Sequence, residues 1–119
     1  MSKIKIQITL KTPEQNYQYI VPAIWQEQEE TLTYQEPNEH HAIVKFNFKT
    51  NELFRENDMI KISYKFNETK STKGTVFLKE LRQQVTLKVI TKKLHKNLNN
   101  VDIDYCLEAE FYQYKIEVI

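Results

Sequence analysis

A period of two runs through this chain and restricts it to extended backbone. Ile4, Ile6, Ile8 and Leu10 alternate with Lys5, Gln7, Thr9 and Lys11, and only in a strand do successive side chains point to opposite faces. Such a segment buries one face and wets the other. The alternation returns at Tyr17, Tyr19 and Val21, at Leu32 and Tyr34, and at Ala42, Val44, Phe46 and Phe48. It continues at Ile60, Ile62, Tyr64 and Phe66, at Val85, Leu87, Val89 and Thr91, and at Val101, Ile103, Tyr105 and Leu107. No amphipathic helix of three turns competes. One short stretch, Lys79 to Gln83, is helix-compatible.

Turn chemistry punctuates the strands. Gln26 to Glu30 reads as a hairpin loop, Glu36-Pro37-Asn38-Glu39 as a turn, and Thr50-Asn51, Asn57-Asp58 and Asn97, Asn99 and Asn100 as further turns. Pro22 is expected to interrupt its ladder, with Ile24 and Trp25 resuming it after a bend. Asn67 to Gly74 is polar and reads as a mobile loop, followed by a strand from Thr75 to Leu78. The apolar phase of Leu107 and Ala109 is not that of Tyr112, Tyr114, Ile116 and Val118, which requires a bulge or tight turn near Glu110-Phe111. Nine or ten short strands result. A sheet of that size splits into a sandwich or closes into a barrel, and closure removes exposed edges. The expected fold is an all-β antiparallel barrel of about 8–10 strands, one domain over residues 1–119, with a β-sandwich as the alternative.

The length of 119 residues suffices to bury roughly two-thirds of the unfolded surface without disulfides or metal. A net charge of +1 with mixed signs argues against nucleic acid or an anionic membrane as partner. Cys106 is the one cysteine, so no internal disulfide forms and a reducing, cytoplasmic compartment is expected. The start, Met1 to Ile6, alternates without an apolar core and does not read as a signal peptide. The single glycine, Gly74, excludes phosphate loops, dinucleotide fingerprints and the nucleophile elbow, all of which need several.

Several side-chain groups invite a chemical reading. Leu32, Tyr34 and Glu36 share a face, as do Leu53 and Arg55. If those faces point inward, a carboxylate and a guanidinium sit in or beside the barrel. Glu36 and Arg55 then pair, or Arg55 awaits an anionic ligand; the alternative is that both lie at strand ends in water. The acidic stripe of Asp102, Asp104, Glu108 and Glu110 lacks calcium-loop spacing and is expected to face Lys88 and Lys92 across strands. His40 and His41 point to opposite faces of a strand, so they do not converge on a metal. Cys106 lies on the acidic face, where carboxylates would push its thiol pKa up rather than activate it. Tyr17, Tyr19 and Trp25 form either a stacking platform for bases or core aromatics.

Four segments carry a family resemblance. Leu32-Thr33-Tyr34-Gln35-Glu36, Arg55 with the turn Asn57-Asp58 and the strand ending in Phe66, Val85 to Thr91, and Ile103-Asp104-Tyr105 together resemble the YwiB-like domain of unknown function, found mainly in low-GC Gram-positive bacteria. The resemblance spans most of the chain. It implies a calycin-like barrel related in shape to lipocalins, and a cytosolic location, and it implies no activity. Two glycines usual in that family are replaced, at Asn57-Asp58 and at Gln83-Gln84, which puts backbone-mediated ligand contacts at those turns in doubt. The expected function is non-catalytic binding of a small ligand in the barrel, with no cofactor or metal. Arg55 would orient a negative group, Tyr34 and Tyr64 would supply walls and hydroxyls, and Glu36 and Phe66 would stand beside them. The alternative is a protein- or RNA-interaction module with a filled core.

Overall fold

The computed structural model describes residues 1–39 and 41–119. Ten strands follow one another: β1 (Ser2–Lys11), β2 (Asn16–Gln26), β3 (Thr31–Gln35), β4 (Ile43–Asn47), β5 (Glu52–Glu56), β6 (Ile60–Lys65), β7 (Thr72–Leu78), β8 (Gln83–Lys96), β9 (Asn100–Leu107) and β10 (Glu110–Val118). Each pairs antiparallel with its chain neighbours, and β1 also pairs with β10, so the sheet closes on itself. Closure leaves a barrel and not a sandwich. Among the described residues, no helix is long and apolar enough to cross a membrane.

The period of two becomes the inside of the barrel. Registers align the inward residues in rings: Ala23 opposite Tyr34, Tyr34 opposite Val44, Val44 opposite Arg55, and Arg55 opposite Ile62. One step along, Trp25, Leu32, Phe46, Leu53 and Tyr64 form the next ring. Ile6, Ile8, Phe46, Val89 and Ile103 are fully buried, and burying a side chain of this kind stabilises by about 1.5–3 kcal/mol. A one-residue slip of any strand would turn its apolar set outward.

Several local expectations change in the structure. β2 runs straight through Pro22, which stands opposite Lys5. The last β2–β3 pair is Ala23 opposite Tyr34, so at Pro22 one edge of the strand has no partner and a missing N–H is tolerated. Lys79 to Arg82 form a turn, not a helix, with the Arg82 N–H donating to the Lys79 carbonyl. β7 begins at Thr72, so Gly74 lies inside a strand and not in a loop. The phase change after β9 comes from a tight turn at Glu108-Ala109, with Leu107 opposite Glu110. β8 continues beyond Thr91 to Lys96 through an irregularity between Thr91 and Lys93.

The placement of the one glycine explains its type. A Cβ on Gly74 would lie 2.6 Å from Tyr64 Cδ1 and 3.0 Å from Val89 Cγ2. Gly74 therefore admits the Tyr64 ring against the β7 backbone, a use of glycine that a loop reading misses. Among the described residues, the left-handed positions fall instead to Glu30, His41, Asn51, Arg82 and Glu108, with φ between 45° and 59°.

Candidate functional site

Arg55 and Glu36 meet where β3 and β5 end. Arg55 Nε donates to Glu36 Oε2 at 2.9 Å and Nη2 donates to Oε1 at 2.8 Å, the fork geometry that suits a guanidinium to a carboxylate. Glu36 is 6% exposed, and the Arg55 side chain is 26% exposed. The register brings them together: Tyr34 and Arg55 both stand opposite Val44, and Glu36 is one inward step beyond Tyr34. Hydrogen bonding to Glu36 raises the Arg55 pKa against the opposing effect of burial, so the guanidinium is held as the counter-ion of Glu36.

A layer of phenols adjoins this pair. The hydroxyls of Tyr34 and Tyr114 share a 2.6 Å hydrogen bond through the barrel interior. Burial, with neighbouring phenols adding to it, pushes the Tyr34 pKa well up, and burial does the same at Tyr114. Tyr19 is pushed up to about 12 by burial and by the Glu36 carboxylate. Tyr64 is likewise pushed up to about 12 by burial. Tyr105 is raised by burial and stacks on Tyr112 with ring centres 5.4 Å apart. These raised values keep the phenols protonated at neutral pH.

The five sequence candidates thus divide. Tyr34, Glu36 and Arg55 are brought together, and Tyr64 lies within electrostatic reach of Arg55. Phe66 stands apart from Arg55. It is 1% exposed and packs on Tyr105 at 4.9 Å between ring centres, as a core residue.

The barrel's opening lies at the other ends of the strands. A cavity of about 550 Å³ is floored by the buried Leu32, Val101 and Ile116. Trp25, Phe48 and Ile4 wall it. Trp25 and Phe48 meet edge to face with ring centres 5.2 Å apart, an arrangement that aromatic quadrupoles favour. The β8–β9 turn forms the lip. Leu98 at its tip is 97% exposed, and the Asn97 side chain accepts from the N–H groups of Asn99 and Asn100. Lys96 ties that lip to the β4–β5 turn through the Phe48 carbonyl and Asn51 Oδ1. Glu30 and Asn100 complete a polar rim. Sequence reasoning missed this site except for Trp25, which was weighed as a stacking residue. The available signal was the shared inward phase of Trp25 with Val21 and Ala23.

The remaining sequence candidates lie elsewhere on the barrel. Lys88 stands against Glu108 at one end of the acidic stripe, its carbonyl accepting the Glu108 N–H. Further along, the irregularity in β8 puts Lys93 rather than Lys92 against it, with Lys93 Nζ donating to Asp102 Oδ2 at 2.8 Å. Asp104 accepts from Gln113 Nε2, and Glu108 accepts the Lys88 backbone N–H. Tyr19 and Trp25 face inward and Tyr17 is 40% exposed, so the three do not form a flat outer platform. His40 lies outside the described residues, and with it the reading of the His40-His41 pair. Cys106 is half-buried on β9.

Compared with family models and with curated proteins, the chain matches none. Among solved structures it is similar to the crystal structure of the YwiB protein from Bacillus subtilis, at a TM-score of 0.66 and 15% identity, over 98% of this chain and 88% of that one. At that identity the likeness concerns the fold, which is YwiB-like.

Proposed function

We propose that this protein is a non-catalytic binder of a small, largely apolar ligand that seats in the open mouth of the barrel. The observation that carries the reading is the cavity of about 550 Å³ between Trp25, Phe48, Leu32 and Leu98. Its size and its apolar lining with a polar rim match sites for small organic molecules. Leu98 supports it too, because a leucine held in water at a cavity lip gains by closing over an apolar guest. The rim groups Glu30, Asn97 and Asn100 suit a ligand with one polar end. In this reading Arg55, Glu36, Tyr34 and Tyr64 hold the far end of the barrel in shape. The lipocalin-related, calycin-like character implied by the resemblance, and a cytoplasmic location in a low-GC Gram-positive bacterium, belong to the same proposal.

Trp25 is the one tryptophan of the chain, so its fluorescence reports on this cavity. Titration with 1-anilinonaphthalene-8-sulfonate and with a series of medium-chain fatty acids is expected to shift that emission with one-site saturation. Leu98→Asp should weaken binding about tenfold, the loss of one buried leucine's contribution, with unfolding unchanged. Native mass spectrometry of protein purified gently from its host should show a co-purifying small molecule. Absence of both a saturable shift and an adduct sinks the reading in favour of an interaction module with a filled core, which the Tyr34–Tyr114 bridge favours.

A further inference from the structure

A second concavity lies on the outside of the barrel and differs from the mouth in its charge and in having no aromatic wall. It is an open groove of about 770 Å³ bordered by β7, β8 and the loop between β6 and β7. Lys65, Lys70, Lys73 and Lys88 line it. Lys73 and Lys88 stand directly opposite each other in the β7–β8 register, where like charges destabilise a sheet. Three cations outside the groove are paired: Lys79 with Glu56 and Lys93 with Asp102, each at 2.8 Å, and Arg55 with Glu36. Among the described residues, none of the four groove lysines has a carboxylate within ion-pair distance. Glu108 is the one acid in the lining, and its Oε1 accepts the Lys88 backbone N–H at 2.9 Å instead.

We propose that this groove binds a small anion carrying two or more phosphate groups. Four ammonium groups against one carboxylate supply the charge, and lysines serve as point charges for phosphate oxygens. Ser71, Thr86 and Asn67 supply neutral donors. The Asn67 side-chain oxygen is already occupied by the N–H and hydroxyl of Thr69, which leaves its amide hydrogens for an acceptor. The lining contains no aromatic side chain, so nothing there stacks a base and the phosphate chain is the recognised element. The volume admits a chain of several phosphates, whether free or attached to a nucleoside. The opposed Lys73 and Lys88 are then an arrangement disfavoured in the free protein and relieved by the ligand.

Calorimetric titration with sodium tripolyphosphate at constant ionic strength tests this. One-to-one saturable binding is expected, weakening as salt is raised. Lys73→Gln and Lys88→Gln should each reduce the affinity tenfold or more, while the melting temperature without the anion stays level or rises, because a like-charge opposition has been removed. Lys79→Gln, which removes a paired lysine outside the groove, should leave the affinity unchanged. Adenosine triphosphate binding as tightly as tripolyphosphate marks a free chain as sufficient, and tighter binding marks a nucleotide as the source; both support the proposal. It is overturned if tripolyphosphate shows no saturable binding, if Lys73→Gln and Lys88→Gln bind as the parent does, or if a single-stranded oligonucleotide binds and tripolyphosphate does not displace it.

Discussion

The hydroxyls of Tyr34 and Tyr114, 80 residues apart in the chain, meet at 2.6 Å across the interior of the barrel. β3 and β10 are not neighbours in the sheet, so this contact spans the lumen instead of running along it. Both residues are under 5% exposed. The bridge divides the interior into a filled end beside Arg55 and Glu36 and an open end beside Trp25.

Removing one partner of that bridge takes this hydrogen bond from the other buried hydroxyl, with Tyr34 keeping its side-chain hydrogen bond to Tyr19. Tyr34→Phe and Tyr114→Phe should each destabilise by about 1–3 kcal/mol. The double variant should lose less than the sum, since the Tyr34–Tyr114 bond can be lost only once. Urea unfolding of the four proteins measures the coupling. Strict additivity would show that the two hydroxyls do not depend on each other.

The Arg55–Glu36 pair should follow the same asymmetry more steeply. Arg55→Met strands the buried Glu36 carboxylate and should cost about 2–4 kcal/mol, toward the lower end of buried pairs because Arg55 keeps some contact with water. Combining it with Glu36→Gln should recover a large part of that loss. A single variant as stable as the parent would show that the pair is solvated in solution.

Gly74→Ala should destabilise by about 1–3 kcal/mol, because its methyl group would meet the Tyr64 ring at 2.6 Å. Adding Tyr64→Leu, which withdraws the ring, should restore part of the stability. Thermal melts of the three proteins decide it. An unaffected Gly74→Ala protein would place the Tyr64 ring elsewhere.

High pH should unfold the protein progressively. Tyr19 and Tyr64 are raised from 10.0 to about 12 in the folded state, and Tyr34, Tyr105 and Tyr114 are raised as well. Between pH 10 and 12 the unfolded chain releases phenolic protons that the folded chain retains, so stability present below pH 10 is lost as pH rises. Each fully buried phenol contributes up to ~1.4 kcal/mol per pH unit to that fall. Melting temperatures from pH 8 to 12, followed alongside tyrosinate absorbance, should show loss of structure and late ionisation together. Ionisation of all seven tyrosines near pH 10 without unfolding would contradict the buried layer.

Much of the barrel was legible in the residues themselves. Alternation marks which face of each strand is buried, and that reading held at β1, β4, β6 and β9 because each carries its apolar set in one unbroken phase. It failed where local chemistry admits two outcomes. Pro22 breaks a ladder only if both strand edges are paired, and here one edge is free. Lys79 to Arg82 has helical propensity in a segment too short to nucleate a helix, so the strands on either side decide its form. The shift in β8 at Lys92 has no apolar marker, which is why Lys92 and not Lys93 was expected to face the acidic stripe.

The sequence by itself determined that this chain must be a sheet, which residues share a strand face, and that glycine-built phosphate and dinucleotide sites are excluded, since these follow from backbone sterics and a period of two. Only the tertiary structure decided that Arg55 is already paired with Glu36, that Tyr34 and Tyr114 bridge the lumen, and that Trp25, Phe48 and Leu98 gather around an opening. The same holds for the opposition of Lys73 and Lys88. Each of these depends on register and closure, and register is set by the summed packing of all ten strands, a quantity no local window contains.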